Sequence, residues 1–360
     1  MKPRDLLNKI YGNIKPEFWM MRGLKRGSPG SLLIYYAGSH PGMRYIASLA
    51  YQGGYRERSL GRRWFWDNIA SRRLRKNNDS LFIMESYYFL SRFLLRRVSF
   101  VVPSWVSSIV TFTDGDHGYE KNKSLKNDMR RIKKHRFSFE ITRDAECLRY
   151  FYHCLYVPFI KKAHGEAAFI REYSDIQKKF LAAGPRCGLG VLRQGNEIVG
   201  GQIFFTRGGS LRIWLLGVKD GSRDHVNRGV VQALFQFSIR AFRERGFKAV
   251  DLGASRPFLN DGVIRFKKKW SPVLSYKKSG EKMFLVTCAA AGQAVRHFLK
   301  RNPFMFVERG SLRAACFYEH LPSAEEVNRA LAYYRFRGLS ELRVFWFRED
   351  TVIIDRKIKL

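Results

Sequence analysis

The chain has 360 residues, more than one ordinary core takes up, so its length implies two domains, or a duplicated domain with an extension. Hydrophobic residues at 45% and aromatic residues at 15% exclude an intrinsically disordered chain. Lys and Arg number 66 against 31 acidic residues, a formal +35, and a field of that sign attracts nucleic acid, anionic lipid or a phosphorylated donor, unless it only reflects a generally basic proteome.

Five cysteines, Cys147, Cys154, Cys187, Cys288 and Cys316, make an odd set with no CxxC pair. That fits reduced thiols of a cytoplasmic protein better than a disulfide framework. His153 beside Cys154 lacks metal-ligand spacing and reads as structural, so no metal site is expected. The N-terminal MKPRDLLNKIYGNIKPEFW carries no apolar segment of a secretory signal. LFIMESYYFLSRFLLRRVSFVVP (Leu81–Pro103) is interrupted by Glu85, Arg92, Arg96 and Arg97, which argues against a membrane span. It reads as a half-buried helix and a strand, or as a segment lying on a membrane surface.

In chain order, SLLIYYAG (Ser31–Gly38) is an apolar run ending at a turn signal and predicts a strand. GMRYIASLAYQGG (Gly42–Gly54) has helical spacing and stops at paired glycines. RRWFWDNIASRRLRK (Arg62–Lys76) interleaves basic and aromatic residues, and FVVPSWVSSIVTF is β-rich with a proline at a strand edge. KNKSLKNDMRRIKKHR (Lys121–Arg136) follows, with Leu125, Met129 and Ile132 at i, i+4, i+7. One apolar stripe docks this helix, and the rest of its circumference is either a solvated basic face or a phosphate-contacting one.

RFSFEITRD (Arg136–Asp144) alternates as a strand, and DAECLRYFYHCLYVPFIKKAHG is helical up to its proline. CGLGVLRQGNEIVGGQIFFTRGGSLRIWLLGV (Cys187–Val218) predicts three antiparallel strands joined at QGN and RGG turns. VVQALFQFSIRAFRERG (Val230–Gly246) predicts an amphipathic helix and FKAVDLGAS (Phe247–Ser255) a buried strand of the same sheet. The last 60 residues hold a helix, with Ser323 and Glu326 spaced as a capping box, and a hairpin over ELRVFWFREDTVIIDRKIKL.

Meander, helix, then strand is the core order of the GNAT acyltransferases. GGQIFF, a second strand ending in LGVKD, the helix, and VDLGASRPFLNDGVIRFKKKW, preceded by the basic helix KSLKNDMRRIKKH, together resemble the FemABX branch of that superfamily. The resemblance spans Lys121–Lys278. It implies a mixed α/β (α+β), GNAT-like fold with two GNAT-like halves in tandem and a small C-terminal α/β extension. The expected division is 1–120, 121–300 and 301–360. It also implies N-acyl transfer from an activated donor, an aminoacyl-tRNA, an acyl-CoA or an acyl carrier protein, to an amine of a sugar, peptide or lipid-linked precursor. The donor would be a co-substrate, and no tightly bound cofactor is expected. The position of Phe266-Lys267 matches the Phe-Lys motif of the branch, whose lysine faces the donor.

Read from the residues, Phe266 and Trp270 lie four apart and share the buried side of a helical turn, so Lys267 and Lys268 lie off that anchored stripe and Lys267 has a defined direction, Lys269 less so; Lys268 and Lys269 read alternatively as solvated charge. Asp251 ends the buried strand and Asp261 sits in an NDG turn; either orients the attacking amine, or Asp261 only shapes the turn. Asn227, Arg228 and Gly229 precede the helix as an anion site, though with a single glycine the pyrophosphate cradle is incomplete, and Asn227 is alternatively the helix N-cap. Arg256, Phe266 and Lys268 complete the donor-binding candidates, with Arg256 either binding phosphate or fixing its loop. Lys126, Arg130, Arg131, Lys133 and Lys134 are the candidates for contact with nucleic acid or another anion. The competing class is a non-enzymatic protein that binds nucleic acid or an anionic membrane on the same scaffold. The expected location is the cytoplasm or the inner membrane surface.

Overall fold

The structure is a computed structural model. It describes residues 15–27, 30–64, 80–87, 99–112, 122–165, 170–277, 282–287, 292–348 and 351–360. Much of the basic-aromatic stretch RRWFWDNIASRRLRK and Cys288 lie outside the described residues. Of the half-buried helix expected to open Leu81–Pro103, Leu81–Tyr87 is instead strand, paired on both sides in a sheet, and residues 88–98 lie outside the described residues.

From the N-terminus come β1 (Glu17–Lys25), β2 (Ser31–Gly38), α1 (His40–Ala50), β3 (Tyr51–Arg62), β4 (Ser80–Tyr87), β5 (Ser99–Pro103) and β6 (Val106–Thr111). Then follow α2 (Lys123–Lys134), β7 (Phe137–Thr142), α3 (Ala145–Tyr150), a π-helical segment Phe151–Tyr156, α4 (Val157–His164) and α5 (Tyr173–Ala182). The middle of the chain forms β8 (Cys187–Gln194), β9 (Glu197–Arg207), β10 (Ser210–Val218), α6 (Arg223–Arg228), α7 (Val230–Glu244) and β11 (Ala249–Ser255). The remainder is α8 (Gly262–Lys267), β12 (Val273–Ser275), β13 (Lys282–Thr287), α9 (Gln293–Arg301), β14 (Phe304–Glu308), β15 (Ser311–Tyr318), α10 (Ala324–Tyr334), β16 (Glu341–Arg348) and β17 (Thr351–Lys359). The protein is thus mixed α/β, and no helix among the described residues is long and apolar enough to cross a membrane.

Two compact units share the chain, and they do not follow the division at residues 120 and 300 expected from sequence. The first gathers Met1–Val106, Ser255–Arg265 and Leu274–Leu360; the second gathers Ser107–Ala254 and Phe266–Val273. The first unit is built on a ten-stranded sheet in the order β17-β16-β15-β14-β5-β13-β4-β2-β1-β3. The C-terminal strands therefore extend the sheet of the N-terminal ones. Phe100 on β5 shows why: it meets Phe304, Phe306, Phe317 and Phe345 edge-on at 5.2–5.9 Å. Edge-to-face aromatic packing of this kind binds distant segments into one core.

The second unit carries the seven-stranded sheet β12-β6-β11-β10-β9-β8-β7. Its antiparallel meander β8-β9-β10 leads through α7 to β11, which returns parallel to β10. This is the GNAT-like order read from the sequence, in one sheet. α7 turns Val230, Ala233, Leu234, Phe235, Ile239 and Phe242 inward, as its spacing requires. The helix after β7 does not stop at Pro158. Its turns widen over Phe151–Tyr156 and continue as α4, with Pro158 in the first turn.

Gly217 on β10 lies directly under that widened turn. A Cβ at this position would sit 2.5 Å from the backbone carbon of Leu155 and the nitrogen of Tyr156, neither of which has a flexible end to move aside. Gly217→Ala is expected to lower stability by about 1–3 kcal/mol in urea unfolding. A change within about 0.5 kcal/mol would show that the helix is not packed this closely on β10.

Candidate active site

β11 pairs with β10 only over Ser210–Arg212 against Ala249–Asp251, although both strands run on. On its other side β10 is bulged against β9 between Ile213 and Leu215, at Trp214. Beyond the last pair, the chain at Gly253 takes a left-handed φ of 85°. A Cβ there would lie 2.9 Å from the Ile213 carbonyl oxygen, so glycine is needed twice over. Asp251 helps hold this turn of the strand. Its Oδ1 accepts from the Gly253 N–H at 3.0 Å, and its Oδ2 lies 3.5 Å from Arg212 Nε. The sequence-selected Asp251 therefore stands at the end of the paired stretch with its carboxylate shared between two donors.

Lys267 reaches the same place from the end of α8. Its residue is 3% exposed, and its ammonium donates to the carbonyls of Gly253 at 2.8 Å and Ala254 at 3.2 Å. The aromatic anchor inferred from the four-residue spacing is present: Phe266 and Trp270 pack at 5.3 Å, both against Phe235. Trp270 is fully buried and donates from Nε1 to Gln236. Lys269, expected to lack direction, is instead anchored. Its ammonium is 2.6 Å from Asp128, and its carbonyl accepts from Asn122 Nδ2. The reason is that Asp128, the acid of the basic helix, is 5% exposed and turned inward beside Leu125 and Ile132. Lys268 is half-buried.

On α2, Lys126, Arg130, Arg131, Lys133 and Lys134 are all exposed around the expected apolar stripe. Three of them, Arg131, Lys133 and Lys134, fall in the last turn, where the helix dipole favours cations. Arg131 crosses to the neighbouring helix and donates to the Asn227 carbonyl at 3.1 Å. Asn227 is not the N-cap. It lies inside the short α6, which Ser222 caps, and Gly229, at φ 96°, both ends α6 and begins α7. Arg228 pairs with Asp224 on the same helix. The second unit thus brings Lys267, Asp251 and Phe266 to the strand end, and Asn227, Arg228 and Gly229 beside Arg131 of the basic helix.

Asp261 and Arg256 belong to the first unit. Asp261 Oδ1 accepts from the N–H groups of Val263 at 2.9 Å and Ile264 at 3.1 Å, so its carboxylate caps α8. Arg256 is clamped between the rings of Tyr45 and Trp105. Among the described residues no group of three His, Cys, Asp or Glu side chains could hold a metal.

One further cluster, unmarked in the sequence, gathers at Trp214. The Lys179 ammonium lies 4.0 Å from the centroid of the bulged Trp214 ring, and the Arg171 guanidinium lies 5.6 Å from it. Burial, then Arg171 and Arg212, lower the pKa of Lys179 from its ordinary value. No periodicity announces this group, because its members come from α5, the segment before it and β10.

No family model matches the chain, and no curated protein does. Among solved structures it is similar to L-PGS from Bacillus licheniformis, at 14% identity and a TM-score of 0.37, over 75% of this chain and 81% of that one. It is similar to FemX at 11% identity and a TM-score of 0.38, over 74% and 83%. A GCN5-related N-acetyltransferase from Sphaerobacter thermophilus gives 14% identity and a TM-score of 0.37, over 71% and 72%. Likenesses this distant say nothing of donor, acceptor or reaction.

The Lys269–Asp128 pair ties the triple-lysine turn to the basic helix. Removing one partner of a buried pair strands the other charge. Because the Lys269 side chain is 24% exposed, Asp128→Ala is expected to cost about 1–3 kcal/mol, at the lower end for such pairs. Thermal and urea unfolding measure it, and an unchanged midpoint would mean that the pair does not form.

Proposed function

We propose that the second unit transfers an acyl or aminoacyl group from an activated ester or thioester to an amine. The observation that carries this reading is the buried Lys267 ammonium, fixed at the end of β11 where regular pairing with β10 has stopped. An amine attacking the donor carbonyl places a negative charge on its oxygen. A cation already held in a desolvated position stabilises that charge without reorganising. That attack makes the C–N bond; as the intermediate collapses, the carbonyl re-forms, the C–O or C–S bond of the donor breaks, and the amine proton leaves. Asp251, held by Gly253 and Arg212, orients the amine or takes up that proton.

The donor carries phosphate or is itself acidic. The exposed cations of α2, with Arg131 beside the start of α7, support this side of the reading. Aminoacyl-tRNA, acyl-CoA and an acyl carrier protein all fit that chemistry. The acceptor is an amine on a sugar, peptide or lipid-linked precursor, met in the cytoplasm or at the inner membrane surface. The exposed cations of α2 also favour a second reading, a nucleic-acid- or membrane-surface-binding protein without catalysis.

Two measurements separate these readings. Lys267→Met, with a melting temperature near that of the native chain, is expected to lose roughly 10²–10³ in acyl-transfer rate, whereas the exposed Lys178→Met keeps its rate. Full activity in the Lys267 variant overturns the catalytic assignment. For donor binding, a plot of log affinity against log salt should fall with a slope of several units if α2 meets phosphates. A flat response would remove a polyanionic donor.

A further inference from the structure

We propose that Arg256, with Tyr45 and Trp105, forms an oxyanion-binding site in the first unit, independent of the acyl-transfer reading. Arg256 Cζ lies 3.7 Å from the Tyr45 ring centroid and 3.8 Å from that of Trp105. These are stacking distances, and two rings this near one carbon cannot share a face of the guanidinium. The rings therefore cover its faces and leave its N–H groups to the gap between them.

Among the described residues the guanidinium makes no hydrogen bond and no ion pair. Burial lowers its pKa from the ordinary arginine value, opposed by Tyr45, Glu85, Asp261 and Tyr36 in that order. Both carboxylates in that set are engaged elsewhere. Glu85 Oε2 accepts from the Ser39 N–H at 2.8 Å and lies 3.4 Å from Lys282 Nζ, while Asp261 caps α8. A second donor belongs to one of these rings: the Tyr45 hydroxyl is buried and has no partner among the described residues.

A guanidinium whose faces are covered by rings and whose N–H groups make no bond to the described residues is a fork suited to a bidentate oxyanion. Access exists on the indole side, where Trp105 is 42% exposed. The ligand chemistry is thus a phosphate or carboxylate group, seated between two aromatic planes against an arginine fork.

Isothermal titration calorimetry on the full chain at low ionic strength tests this, with inorganic phosphate in one arm and acetate in the other. One saturable site is expected, weakened about tenfold or more in Arg256→Gln and also in Arg256→Lys, which keeps the charge but loses the fork. Arg329→Gln, removing an equally charged surface residue, should leave it unchanged. Tighter binding of phosphate identifies a phosphorylated ligand, and tighter binding of acetate a carboxylate. If Arg256→Gln does not fold, the lysine variant and the Arg256 Nε–H resonance of the native chain, followed during the same titrations, take its place. Binding of neither anion, equal binding by the Arg256 variants, or an Arg256 resonance that stays still overturns the proposal.

Discussion

The Lys267 ammonium is the point on which the second unit's site depends. Removing a cation from water costs several kcal/mol, and carbonyl dipoles offset that only where they are fixed in place. Here the carbonyls of Gly253 and Ala254 supply the oxygens, and each end of the contact is held rigidly. β11 is pinned by its pairing with β10 and by the Asp251 bond to Gly253. The lysine is pinned by Phe266 and Trp270 packed on Phe235 of α7. On the proposed reading, a charge so placed is ready for an oxyanion before any donor arrives.

The neighbouring lysines divide the remaining work. Lys269 turns the opposite way and joins Asp128, so that one turn of chain is tied to the sheet on one side and to the basic helix on the other. The same helix spends its one acid on that tie and leaves Lys126, Arg130, Lys133 and Lys134 in solvent. A fixed interior cation and a diffuse exterior cationic surface are different devices. The first acts over one hydrogen bond, and the second gathers anions over a Debye length.

Local patterns carried much of this into the sequence. The β8–β10 meander was legible from alternation and glycine turns, α7 from its 3.6-residue spacing, and the capping box of Ser323 and Glu326 from four letters. The Phe266–Trp270 anchor was legible for the same reason, since partners four apart need only a helical turn. What escaped were pairings across long stretches of chain. Asp128 and Lys269 are 141 residues apart, and nothing near either announces the other. Phe100 and its four rings join β5 to the C-terminal strands, which no local signal places in the N-terminal sheet. Pro158 misled because a proline reads as a stop unless the preceding turn widens to admit it.

The central claim is that Lys267 is a held, desolvated cation facing the donor's path. Proton exchange of its ammonium measures this directly, in protein labelled with 15N-lysine and with the signal assigned by its loss in Lys267→Arg. The account predicts a slowly exchanging Nζ–H signal, distinct from the exposed lysines, that shifts when an unreactive donor analogue is added. An ammonium exchanging as fast as the exposed lysines, or one indifferent to the analogue, would contradict it.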